Sequence, residues 1–179
     1  MFKEFHYQVR GHGHLRDGTP VQDRTKYLSR GGVQALCLAD GAGSAARSEL
    51  GTQAVVDEGC AALVERFNEF EVSSDGARVK VELHERLLTR VGNLADRHRL
   101  ELRDLASTFI GLAMSGDRFL GAHIGDGVVG YLKNGQLQSS QRQITANSPT
   151  KRPSSRQGMR PSRCDSSGAT WKGSLVSSS

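Results

Sequence analysis

Apolar and polar residues alternate with a period of two over residues 5–10, and this spacing predicts a first strand there. Residues 11–20 are rich in glycine and polar side chains and read as a loop, followed by a weaker strand pattern over 24–29. Residues 32–39 are nearly all apolar, the pattern of a central, buried strand. The next five residues, Asp40-Gly-Ala-Gly-Ser44, carry turn chemistry. Val55, Val56, Cys60, Leu63, Val64 and Phe67 then recur at helical spacing, predicting one helix over about 44–70. Ser73-Ser-Asp-Gly76 breaks the pattern, and Leu83, Leu87, Leu88, Val91, Leu94 and Ala95 define a second helix over about 78–102.

Three further strands are predicted over 106–114, 118–124 and 128–133. Short turns join them: Ser115-Gly-Asp117 first, and Gly125-Asp-Gly127 second, which puts Asp126 at a hairpin tip. Asn134-Gly135 signals one more hairpin, because both residues tolerate positive φ. Strands joined this tightly run antiparallel. An antiparallel sheet with a helix pair on one face gives an α+β class.

After about residue 138 the periodicity stops, and twelve of the 41 residues from Ser139 to Ser179 are serine. The chain divides into a body, 1–138, and a basic Ser/Arg-rich tail, 139–179, which composition predicts to be disordered. Charge divides the same way. Of the net +5, seven basic residues and one acid place +6 in the tail and leave −1 in the body. A basic body would argue for nucleic acid; this one does not, and no nucleic-acid partner is expected. No apolar run reaches the roughly 18 to 20 residues of a membrane span, and no apolar leader opens the chain. No membrane partner is expected either. Cys37, Cys60 and Cys164 are odd in number and form no Cys-x-x-Cys pair, which fits a reducing cytoplasm.

Candidate chemistry lies where strands meet loops. Asp23, Asp40 and Asp126 each stand at such a junction, so one rim of the sheet could collect three carboxylates. With a carbonyl such as that of Gly41, these hard oxygen donors suit Mg²⁺ or Mn²⁺ rather than zinc. Each aspartate alone is equally ordinary turn chemistry. His6, His12 and His14 lack the partners of a zinc site and read as surface residues, while His123 reads as a satisfied core histidine. Ser44, Ser107 and Thr108 lack the context of a hydrolase nucleophile.

Four segments occur in order: Gly18-Thr-Pro-Val-Gln-Asp23; Leu38-Ala-Asp-Gly-Ala-Gly-Ser-Ala45 with Ser48-Glu49; Leu105-Ala-Ser-Thr108; and His123-Ile-Gly-Asp-Gly-Val-Val-Gly-Tyr-Leu-Lys-Asn-Gly135. Together they resemble the type-2C (PPM) metal-dependent Ser/Thr protein phosphatases, closest to a bacterial signalling subgroup. The resemblance implies an antiparallel β-sandwich flanked by helix pairs, holding two Mg²⁺ or Mn²⁺ ions and, at Asp126, a third. It implies hydrolysis of phosphoserine or phosphothreonine on a phosphorylated protein substrate by metal-activated water. Asp40 matches the aspartate that bridges both metals, Gly41 the carbonyl donor and Asp23 the first-motif aspartate; Asp40 and Asp23 are the catalytic candidates. The family's phosphate-binding arginine falls at Gly18, leaving His14 or Arg16 to replace it.

Two further metal aspartates of the family find no match after Ser139, so the implied domain is truncated at its C-terminal side. Read from the third base of each codon, a back-translation from Gln138 permits Ile-Ile-Thr-Ala-Pro-Asp-Asn-Gly and later Ile-Ser-Gly-Phe-Val-Leu. These are strand and turn patterns, and they point to a frame slip near residue 138. The alternative to a phosphatase is an inactive remnant or a phosphoprotein-binding module with part of the metal site missing.

Overall fold

The computed structural model of the chain describes residues 6–18, 20–139 and 168–174. A short helix, α1 (His12–Asp17), ends at Gly18 in the left-handed region. Strands β1 (Arg24–Arg30) and β2 (Val33–Ala39) form a hairpin. Three helices follow: α2 (Ser48–Glu65), α3 (Phe67–Val72) and α4 (Gly76–His98). A 3₁₀ turn over Leu102–Leu105 leads into β3 (Phe109–Ser115) and β4 (Arg118–Ile124). The hairpin β5 (Gly130–Lys133) and β6 (Gln136–Ser139) comes next, and the last strand is β7 (Gly168–Ser174).

One antiparallel sheet has the order β1-β2-β3-β4-β7, and β5-β6 forms a separate two-stranded sheet. The class is α+β. Strand alternation decides which side chains meet the helices. Val33, Ala35, Cys37 and Ala39 of β2 point to the helix side and are buried. Phe109 and Ala113 of β3, with Leu120 and Ala122 of β4, join them there. Helix α2 supplies Val56, Cys60, Leu63 and Val64 to this core, and α4 supplies Val79, Leu83, Leu87, Val91 and Ala95. The opposite face of β2 is not buried: Leu38 is 43% exposed. The apolar run that reads as buried on both faces is covered by helices on one.

Several expectations are corrected. Residues 6–10 are not part of a strand; Tyr7 and Val9 are exposed, and the Gln8 side-chain oxygen accepts the Thr25 amide at 3.4 Å. The loop over 11–20 contains α1. The single first helix is two, parted at Arg66, whose departure from helical backbone turns Phe67 and Phe70 into the core. The Arg66 guanidinium then bridges Glu69 and Glu82 and lies 5.5 Å from the Phe70 ring. Strand β5 starts at Gly130 rather than residue 128, and it does not pair with β4. Asp126 therefore lies in a link between two sheets, not at a hairpin tip. The free edge of β4 is instead taken by β7, so part of the tail is an edge strand. The rest of the tail, 140–167 and 175–179, lies outside the described residues. The Asn134-Gly135 hairpin is as expected, with φ of 52° and 75°.

Two close approaches fix where α2 sits. A Cβ on Gly51 would lie 2.0 Å from the Leu105 carbonyl oxygen, and one on Gly59 would lie 2.3 Å from the Phe109 ring. Gly51→Ala should therefore cost about 2 kcal/mol or more, as overpacking against backbone does. Gly92→Ala, in α4 with open space around it, should gain about 0.5–1 kcal/mol. Urea unfolding of both variants checks the pair; a Gly51→Ala protein as stable as wild type would contradict this packing.

Candidate functional site

The hydrogen-bonded pairing of β2 with β3 continues past the strands themselves. The Thr108 amide donates to the Asp40 carbonyl at 2.8 Å, and the Ala42 amide donates to the Ala106 carbonyl at 3.0 Å. Between them Gly41 bridges Ser107. The Asp40 amide donates not to a backbone carbonyl but to Thr108 Oγ1, at 3.0 Å. The turn chemistry of 40–44 is thus pinned to the segment before β3, and Asp40 is presented at the sheet's end.

Asp23 arrives from the other side. It immediately precedes β1, whose Arg24 pairs with Ala39. The Arg24 guanidinium folds back and donates from Nη1 to the Val21 carbonyl at 2.7 Å and to the Asp23 carbonyl at 2.8 Å. Those bonds set the bend before β1. Asp126 comes from the link after β4, where Gly125 has φ of 103° and a Cβ on Gly127 would lie 2.4 Å from Ile110 Cδ1. The link is thus pressed onto β3 beside the Asp40 turn.

The electrostatics register this gathering. The Asp40 carboxyl lies above its ordinary value of 3.8. Partial loss of water around it is the largest cause, although the residue remains exposed; a hydrogen bond with the Asp23 carboxyl and the negative charges of Asp23 and Asp126 add to it. Asp23 and Asp40 are thus side-by-side carboxylates, with Asp126 near enough to be felt through its charge. Among the described residues, no three His, Cys, Asp or Glu side chains stand as a ready-made ligand cluster. Arg16 sits exposed on α1 with Nε donating to the neighbouring Asp17 at 2.9 Å, and His14 lies on the same helix. His123 is half-buried rather than a satisfied core residue: its Nδ1 is shielded from solvent and has no hydrogen-bond partner among the described residues.

Two features here have no sequence signal of their own. A Cβ on Gly41 would lie 2.7 Å from Ser48 Oγ and 3.0 Å from Gln22 Cβ, so only glycine fits between the bend before β1 and the start of α2. Ser48 is fully buried, and its Oγ has no hydrogen-bond partner among the described residues. An open groove of about 590 Å³, lined by Tyr7, Arg24 and Gln53 among others, begins one residue beyond Asp23.

A model of the family described as Protein phosphatase 2C matches residues 10–149. The chain belongs to the protein phosphatase 2C family. No curated protein matches it. The family consists of phosphatases that in general depend on Mg²⁺ or Mn²⁺. The donor set of this chain fits such ions: two adjacent carboxylates, a third acidic residue, and the backbone carbonyl of a glycine packed between Ser48 and Gln22. Mg²⁺ characteristically keeps several waters and takes only one or two carboxylates, so two converging aspartates are a reasonable demand. No helix among the described residues is long and apolar enough to cross a membrane.

The crowded carboxylates have a measurable consequence in metal-free protein. A native pKa above the unfolded one means the folded state holds its proton more tightly. Stability therefore falls as pH rises from 3.8 through the native Asp40 value, and the deficit persists above it. Asp40→Asn removes the charge and keeps the shape. In chelator at neutral pH, its Tm should exceed wild type by up to a few degrees. A lower Tm for the variant would show that the carboxylates do not crowd one another.

Proposed function

We propose that the chain is a metal-dependent protein phosphatase domain that hydrolyses phosphoserine or phosphothreonine at the Asp23–Asp40 site, with Asp126 as an auxiliary acidic residue. The observation that carries this is the adjacency of Asp23 and Asp40, two residues 17 positions apart that lie directly beyond the Arg24–Ala39 pair at one end of the sheet and crowd one another's charge there. Two carboxylates forced together without a cation repel; a divalent cation between them turns that repulsion into ligation. When bound, such ions lower the pKa of water and neutralise charge on the phosphoryl oxygens. The protein's own part is to hold Asp40, the Gly41 carbonyl and Asp23 around one point.

The exposure of Asp23, Asp40 and Asp126 among the described residues supports a phosphorylated side chain on a protein as the substrate, because an open site admits a large partner. The groove beside Asp23 can take the peptide flanking the phosphorylated residue. His14 or Arg16 on α1 would contact the phosphate, Arg16 by exchanging its Asp17 partner for it. The buried, free thiols of Cys37 and Cys60 support a reducing cytoplasm. The second sheet layer and second helix pair of a sandwich also belong to this proposal. So does a frame slip near residue 138, with 1–138 as the phosphatase part and 139–179 as out-of-frame tail. The DNA between the codons for Gly130 and Thr150 decides the frame. One deleted base, or two inserted, is expected, and a corrected frame that meets an early stop sinks the idea.

The activity test uses the written and the frame-restored chains side by side, on an aryl phosphate and a phosphothreonine peptide. The restored chain should hydrolyse both only with Mn²⁺ or Mg²⁺, and lose activity in chelator. Asp40→Asn should lower its rate at least about a hundredfold, or roughly 2.7 kcal/mol in the barrier. The written chain, without the two further aspartates, should show little turnover. Equal activity with and without chelator would exclude the metal-dependent reading.

A further inference from the structure

Thr108 touches both turns that carry the candidate ligands. Its Oγ1 accepts the Asp40 amide at 3.0 Å, in the place where a regular ladder would use the Thr108 carbonyl. Its own amide returns a bond to the Asp40 carbonyl at 2.8 Å. On the other side its methyl faces Gly125: a Cβ there would lie 2.9 Å from Thr108 Cγ2 and 3.1 Å from Thr108 Cβ. Gly125 has φ of 103° and directly precedes Asp126. One half-buried side chain therefore holds the Asp40 backbone by a hydrogen bond and supports the Asp126 link by contact.

From this geometry we infer that Thr108 is a positioning residue that sets the separation between Asp40 and Asp126 for a divalent cation. The inference rests on reading Asp40 as a metal ligand, and it goes further by assigning this role to a side chain with no acidic or metal-binding chemistry of its own. The division of labour within Thr108 follows from its two substituents on Cβ. The hydroxyl replaces a backbone acceptor, which opens the ladder at the one pair where a carboxylate must leave it. The methyl fills the space that the missing Gly125 side chain leaves. A β-branched residue is also stiff at χ1, so both contacts are held in one rotamer.

The two functions can be separated by substitution. Thr108→Val keeps the branched shape and loses the acceptor. Thr108→Ser keeps the acceptor and loses the methyl. Mn²⁺ binding to the purified 179-residue chain is measured by calorimetry, and exchange of the Asp40 amide hydrogen by NMR, with circular dichroism to confirm that each variant is folded. Thr108→Val should bind Mn²⁺ about tenfold more weakly, the effect expected for loss of one hydrogen bond. Its Asp40 amide should exchange at least about tenfold faster. Thr108→Ser should keep the Asp40 protection and stay within about threefold of wild type in Mn²⁺ affinity. Mn²⁺ affinity unchanged in Thr108→Val overturns the positioning role. If wild type itself takes up no Mn²⁺, the cation role of Thr108 in this chain is overturned, while the metal-dependent reading is decided by the frame-restored chain; the amide exchange then decides the latch: faster exchange in Thr108→Val supports it, and equal exchange overturns it. If Thr108→Val does not fold, Thr108→Ser decides; loss of its Asp40 protection despite a retained hydroxyl overturns the assignment.

Discussion

The site depends on a backbone constraint: the β2–β3 ladder runs two residues past the end of β2 and carries Asp40 and Gly41 with it. Asp40 and Asp23 repel one another, and a free loop would swing one away. The paired amides and carbonyls of Asp40, Ala42, Ala106 and Thr108 do not allow that. Behind them, the contact of Gly51 with the Leu105 carbonyl seats α2 against the same segment, and Gly41 fits against Ser48 at the start of α2. The core packing of α2 and the placement of the carboxylates are therefore one problem. Charge repulsion is tolerated because the surrounding backbone bonds and helix contacts are cooperative and stiff.

Much of the scaffold is legible from periodicity. The strand over 32–39, the amphipathic stripe of α4 and the Asn134-Gly135 turn each appear in the structure, because each is decided by local chemistry, although β2 is buried on one face rather than two. The failures share a cause as well. Residues 6–10 have strand-like alternation but join no sheet among the described residues, and a period of two says nothing about sheet pairing. The break at Arg66 has no glycine or proline to announce it; the packing of Phe67 and Phe70 imposes it. Pairing choice is non-local, so neither the separation of β5 from β4 nor the capture of the β4 edge by β7 could be read from turn residues.

The site was legible in a different way. Asp23, Asp40 and Asp126 stand out as aspartates at strand ends, and their order with the other motifs gives the family resemblance that the match over 10–149 bears out. Their gathering at one rim needed the register. Thr108 and Ser48 lie within the ordered motifs, yet nothing in a sequence says that a threonine hydroxyl replaces a ladder carbonyl, or that a serine oxygen is buried against a glycine.

The central claim is that a divalent cation belongs between Asp23 and Asp40, beside the Gly41 carbonyl. Anomalous diffraction from crystals grown with Mn²⁺ tests it directly. The account predicts a manganese peak about 2.0–2.3 Å from an Asp40 carboxylate oxygen, with Asp23 reaching the ion directly or through one water. A crystal saturated with Mn²⁺ whose peaks all lie away from Asp40 would contradict it.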